Sequence, residues 1–200
     1  GDGDAAPGTS GDNHGTTVTG TIAGVEGNGI GGTGVAYDAT IAGFRMGYGA
    51  DGNTAQIVEN LALQTNVDIS NNSWGYGGFF SDEFSTPEFQ PAAEAMLSAV
   101  TEGRDGLGTV FVFAAGNGRE SGQDANYHSF QNMSHTNSAA ARDHNGQVAA
   151  FSTPGASLLI SAPGVEIVTT DRTGAEQLQS SWVSSSRVTS RLLACSITSM

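Results

Sequence analysis

Five short stretches hold the residue types that do chemistry. His14 opens the run His14-Gly-Thr-Thr-Val-Thr-Gly-Thr-Ile-Ala-Gly24, and a glycine-studded loop, Val25 to Gly32, follows it. Ser70-Asn-Asn-Ser-Trp-Gly75 and Ala114-Ala-Gly-Asn-Gly118 each place amide or hydroxyl side chains between small residues. Phe151-Ser-Thr-Pro-Gly155 is the last of them. A histidine can move a proton, and an asparagine can donate to a developing negative charge. A loop rich in carbonyls and one Asn can gather round a hard cation. The loop also matches Gly-x-Gly-x-x-Gly at Gly27, Gly29 and Gly32. A dinucleotide site needs a strand before that pattern and a helix after it. Here the order is reversed, so that use is discounted.

Composition narrows the chemistry further. The 200 residues carry 7 Lys+Arg against 20 Asp+Glu, for a net charge of -13. All seven cations are Arg. So acidic a chain lacks the basic patch that nucleic acid or an anionic membrane demands. It suits an extracellular or salt-tolerant protein, a cation binder, or plain solubility. A single cysteine, Cys195, excludes an internal disulfide and a Cys-based zinc site. No apolar run approaches the roughly 20 residues that span a bilayer, and the first residues, GDGDAAPG, do not read as a secretory signal. His128, His135 and His144 lack metal-ligand spacing and read as surface residues.

The elements that must position these groups alternate. A helix from His14 to about Gly24 places Val18, Ile22 and Val25 on one face, with Gly15, Thr19 and Ala23 forming a small second face. Thr40–Met46 reads as a strand. Asn53-Thr54 caps a helix whose buried face is Ile57, Val58, Leu61 and Ala62. A strand starts at Val67–Ile69. Pro91 opens a helix with the stripe Ala92, Met96, Val100, and Gly103 stops it. Thr109–Ala115 is apolar enough to be a strand covered on both faces, and Ser157–Ser161 and Val165–Val168 are two more. Alternation of this kind predicts an α/β domain around a parallel sheet. The texture changes after Gly174: residues 177–200 hold no Asp or Glu, two Arg and eight Ser. The expected division is therefore a domain over 1–174 and an atypical Ser-rich tail over 175–200.

Read together and in order, His14-Gly-Thr, Ser-Asn-Asn-Ser-Trp-Gly75, Ala-Ala-Gly-Asn117-Gly and Phe-Ser-Thr-Pro-Gly155 resemble the subtilisin-like serine endopeptidases. Gly34–Met46 and Asp105–Gly118 point to the kexin/furin branch, and the resemblance covers roughly residues 12–174. It implies a three-layer α/β fold with a mostly parallel sheet flanked by helices, incomplete at both ends. It implies His14 as general base and Asn117 as oxyanion donor. The backbone of Ser73, Trp74 and Gly75 corresponds to the family's substrate-pairing segment, and Ala114, Ala115 and Gly116 to the border of the S1 pocket. The Asn28 side chain with the carbonyls of Val25, Ile30 and Gly32 corresponds to a structural calcium site. A polypeptide is the implied partner, and a secreted, periplasmic or cell-surface monomer is expected.

Three departures accompany the resemblance. The family's catalytic aspartate lies a few dozen residues before the histidine. Only thirteen residues precede His14, with Asp2, Asp4 and Asp12 among them, so the acid is expected upstream of residue 1. The nucleophile's Gly-Thr-Ser does not occur after Gly174; Ile197-Thr-Ser199-Met200 is a weak echo, and Ser199 is not expected to serve. A frame error in residues 175–200 is one explanation. Finally, Gly77, Gly78 and Thr153 stand where the basic-cleaving branch carries acids, with Asp82, Glu83 and Asp124 as possible replacements. The expectation is an endopeptidase chain that is inactive as given. The rival is a pseudoprotease or calcium-binding module that binds peptide without cleaving it.

Overall fold

In the computed structural model, residues 13–46, 52–170, 178–181 and 192–197 are described. Asp2, Asp4, Asp12 and Ser199 lie outside them. Helix α1 spans His14–Ala23, β1 Thr40–Arg45, α2 Thr54–Leu63, β2 Ile69–Asn72, α3 Gln90–Gly106 and β3 Val110–Ala114. The short α4, Ser129–Asn132, precedes β4 (Thr136–Arg142), β5 (Leu158–Pro163) and β6 (Ile167–Thr170). Backbone strands β7, Leu178–Ser181, and β8, Leu192–Ile197, complete the order.

The main sheet is six-stranded, in the order β1-β8-β2-β3-β4-β5, and every pairing in it is parallel. The backbone of β8, from beyond the change of composition at Gly174, lies between β1 and β2. A separate antiparallel pair joins β6 to β7.

Alternation along β3 divides the core into two layers. Phe111 and Phe113 turn to one face and meet Ile57 and Leu61 of α2, Ala92, Met96 and Ala99 of α3, and Phe130. Val112 turns to the other face and joins Ile69, Val18 and Ile22 beneath α1. This is the period-two logic of a strand buried on both faces. Burying each large apolar side chain contributes about 1.5–3 kcal/mol.

Local chemistry sets the helix ends. The Asn53 side chain accepts the Gln56 amide at 2.8 Å and caps α2. Pro91 sits in the first turn of α3. Gly103 leaves helical geometry at ψ 156°, as its position predicts, and Arg104 and Asp105 follow in left-handed backbone. The Arg104 guanidinium then donates to Asp68 at 3.2 Å and to the Gly108 carbonyl at 3.2 Å.

Two expected faces are corrected. Val25 is not on the α1 stripe: the helix ends at Ala23, Gly24 turns to ψ 131°, and Val25 is 62 % exposed. On α2, Ala62 faces solvent and Gln64 is fully buried instead. The chain tightens into a 3₁₀ turn over Gln64–Asn66, which rotates the buried face by part of a turn.

Candidate active site

The C-terminal ends of the parallel strands carry the candidate groups. Ser73-Trp-Gly75 leaves β2, and Ala115-Gly-Asn117 leaves β3. His14 reaches the same end by way of α1. The amides of Val35 and Ala36 donate to the Thr21 and Ile22 carbonyls at 3.1 and 2.7 Å. The last turn of α1 is thereby tied to the chain just before β1 begins. The helix packs Val18 and Ile22 on Ile69 and Val112 and runs back along the sheet. His14, ~14 Å along the axis from Ala23 at the usual rise, stands where the strands finish. Ligands of open α/β sheets bind at that edge.

His14 is half-buried, with Gly15 buried behind it. The Thr17 hydroxyl donates to the Asn13 carbonyl at 2.7 Å, which closes the first turn. From β6, the Thr169 hydroxyl donates to the Thr17 carbonyl at 2.8 Å and anchors α1 from a second side.

Asn117 is exposed, between two residues that are held. The Thr153 amide donates to the Gly116 carbonyl at 3.0 Å, and the Thr153 hydroxyl accepts the Gly118 amide at 2.9 Å. Gly116 adopts φ +100°, which a side chain would disfavour. Ala115 is tied by its amide to the Ala139 carbonyl at 3.0 Å, and the Ala114 carbonyl accepts from Gln131 Nε2 at 3.2 Å. The turn is thus held on both sides of Asn117.

Among the described residues, no hydrogen bond engages the backbone of Ser73, Trp74, Gly75 or Tyr76. The side chains are used inward. Trp74 Nε1 donates to Asn72 Oδ1 at 3.0 Å, and its ring packs edge-on against Phe113 and Phe130, at 5.4 and 4.9 Å. Asn72 in turn donates to Ser70 Oγ at 2.6 Å, and Ser70 bonds Gln64. Asn71, on the other face, donates to Ser73 Oγ at 3.0 Å. The polar runs of this motif build the floor and leave the main chain open to pairing. Tyr76 stacks on Phe130 and meets Phe89. Burial pushes its hydroxyl above the usual 10.0; a hydrogen bond with Thr54 opposes this, and the charges of Asp82 and Glu88 add to it.

The Val25–Thr33 loop is pinned at its neck by the Gly34 amide on the Gly24 carbonyl, at 2.8 Å. Gly27, Gly29 and Gly31 are left-handed. Asn28 Oδ1 accepts the Ile30 amide at 2.9 Å, and Ile30 is 66 % exposed. No hydrogen bond among the described residues engages the carbonyls of Val25, Ile30 or Gly32. The donor set is all oxygen and neutral, which fits a hard cation by type. Among the described residues no cluster of three or more His, Cys, Asp or Glu gathers as a metal site.

One expectation fails outright. His128 is buried, 5 % exposed, between Asp82 and Gln123 at 2.8 and 3.0 Å. Asp82 itself is fully buried and engaged, so it does not line an open pocket. Asp124 caps the turn Ala125–Tyr127 by accepting the Asn126 amide at 2.9 Å, and Glu83 is exposed. His135 and His144 are exposed as expected.

A family description, the subtilase family of S8 peptidases, matches residues 1–200. The chain belongs to the subtilase family. It is 35% identical over 145 residues to a dibasic-processing endoprotease of Yarrowia lipolytica, covering 71% of this chain and 14% of that protein. It is 36% identical over 169 residues to human proprotein convertase subtilisin/kexin type 4, covering 79% of this chain and 22% of that protein. It is 42% identical over 123 residues to furin-like protease 2 of Drosophila melanogaster, covering 58% of this chain and 7% of that protein. The subtilase chain thus spans at most 22% of the length of these three relatives. Among solved structures, the Aeromonas sobria serine protease, solved with its chaperone, superposes with a TM-score of 0.71 at 20% identity. That match covers 86% of this chain and 33% of that one. A cold-adapted subtilisin-like proteinase gives 0.61 at 24% identity, covering 83% and 54%. These likenesses show the subtilisin-like fold, and the parallel sheet with helices on both faces agrees with it.

Proposed function

We propose that this chain carries part of the catalytic domain of a secreted, calcium-supported serine endopeptidase. The observation that supports the reading is that the Ser73–Gly75 main chain and the Asn117 turn leave the C-terminal ends of the paired strands β2 and β3, while the ties of α1 to the chain before β1 direct His14 toward the same end of the sheet. An extended polypeptide pairs with the open backbone of Ser73–Gly75 as an added strand. Ala114, Ala115 and Gly116 border the pocket for the side chain beside the scissile bond. His14 accepts the proton of a serine hydroxyl as that oxygen attacks the carbonyl carbon, and returns it to the leaving amine. Asn117 donates its side-chain amide to the oxyanion. In a subtilisin the loss of that one donor costs about 10²–10³ in kcat. Asn28 and the carbonyls of Val25, Ile30 and Gly32 would hold calcium, which would support the loop behind α1 and take no part in the bond changes. The boundary at Gly174 enters as a change of composition, with β8 lying beyond it.

The absence of Gly-Thr-Ser after Gly174 favours a second reading for this chain by itself. It binds polypeptide along the same edge without cleaving it. A fluorescent fluorophosphonate, applied to the full-length product of the gene that encodes this chain, separates the two. A serine adduct that disappears in His14→Ala establishes the endopeptidase. Peptide-induced protection of the Ser73–Tyr76 amides from hydrogen exchange, without an adduct, establishes the binding module. Neither adduct nor protection would overturn both.

A further inference from the structure

The buried polar chain of Asp82, His128 and Gln123 lies outside the triad chemistry, yet it touches both walls of the candidate cleft. Gln123 Nε2 donates to the Gly77 carbonyl at 2.5 Å, two residues past the peptide-pairing edge. Its stem lies against the turn that carries Asn117. A Cβ on Gly118 would stand 2.4 Å from Gln123 Cγ, and the Gln123 amide donates to the Gly118 carbonyl at 3.0 Å. Gln123 therefore spans from the oxyanion turn to the substrate edge.

Its orientation is determined by hydrogen-bond arithmetic. The Gly77 carbonyl accepts only, so the Gln123 amide nitrogen must face it and Oε1 must face His128. His128 Nε2 then has to carry a proton. Nδ1 faces Asp82 Oδ1 at 2.8 Å, and Asp82 Oδ2 meets the Phe130 amide at 3.4 Å. The ring thus holds Gln123 through Nε2–H on one side and is anchored on Asp82 in the core on the other.

We propose that Asp82, His128 and Gln123 form a positioning brace. It sets the separation between the Asn117 turn and the peptide-pairing edge, with His128 orienting Gln123. The proposal rests on the peptide-edge reading above for its function and on geometry alone for its existence. None of the three residues touches the reacting atoms.

The variant that tests it is Gln123→Glu in the full 200-residue chain. A glutamate keeps an acceptor toward His128 but, as a carboxylate, has no proton for the Gly77 carbonyl. A role in stability alone predicts that folding and peptide affinity move together. The brace predicts that they separate. The melting temperature is held, while affinity for a fluorescein-labelled pool of extended hexapeptides falls about tenfold, the size of one lost hydrogen bond near the top of its range. The Gly77, Gly78 and Gly118 amide resonances shift, and Nε2 of the wild-type His128 reads as protonated in nitrogen NMR. Unchanged affinity, or a loss that only tracks the melting temperature, overturns the brace. If the wild type binds no peptide, the peptide-edge reading fails and the resonances decide. Shifts at Gly77 and Gly78 support the brace, and shifts confined to residues 118–131 overturn it.

Discussion

Thr153 Oγ1 accepts the Gly118 amide at 2.9 Å while the Thr153 amide donates to the Gly116 carbonyl at 3.0 Å. One residue of the Phe151–Gly155 motif thus grips the asparagine turn on both sides of Asn117. Thr153 is buried at 2 % exposure, so each bond is sheltered from water. Thr153→Val keeps the shape and strands the Gly118 amide. The expected cost is about 1–3 kcal/mol in urea unfolding, with a shift of the Gly118 resonance. Thr153→Ser restores the acceptor and most of the stability. Equal stability of the Val and Ser variants would remove this clamp from the account.

Helix α1 is held so closely by β6 that no side chain fits between them at Gly20. A Cβ there would lie 1.9 Å from Thr170 Oγ1 and 2.7 Å from Thr169 Oγ1. Gly20→Ala must push β6 away or rotate α1, at about 1–3 kcal/mol for overpacking. Against this stands a gain of roughly 1 kcal/mol in helix propensity. The net expectation is a lower melting temperature and a displaced His14 ring resonance. A variant as stable as the wild type would mean that β6 does not anchor the helix.

Tyr76 gives the chain an alkaline limit. Burial raises its hydroxyl above the usual 10.0, so the folded state favours the neutral phenol. The unfolded chain ionises first as pH rises. This contribution is therefore complete below a pH of about 10 and is lost as pH climbs through the folded value. Tyr76→Phe should flatten the fall in urea midpoint above that pH. An identical alkaline slope in the two proteins would show that Tyr76 does not set it.

Calcium should stabilise the chain through the Val25–Thr33 loop. At a hundredfold excess over its dissociation constant, one site adds about 2.7 kcal/mol. The melting temperature should rise on adding calcium and fall with a chelator. Asn28→Ala, which also removes the acceptor for the Ile30 amide, should abolish most of that difference. Equal melting curves in calcium and chelator would refute the site.

Local pattern was enough for much of this protein. The stripes Ile57–Leu61 and Ala92–Met96, the Asn53 cap, the Pro91 start and the Gly103 stop depend on neighbours within a few residues, and a helix or strand period displays them. The element ends that carry His14, Ser73–Gly75 and Asn117 were legible for the same reason, whereas the roles proposed for these residues come from the resemblance to the subtilisin-like family. What the sequence left open depends on contacts far along the chain. His128 sits in a polar stretch that shows no buried face, and its burial is decided by Asp82, 46 residues away. The Trp74 ring turns inward because Phe113 and Phe130 wait there, from β3 and α4. Val25 and Ala62 left their expected faces where helices ended early or tightened, a matter of a few backbone angles that periodicity does not resolve. Pattern specifies which way a residue faces within its own element; only packing decides which distant groups it meets and whether water is excluded between them.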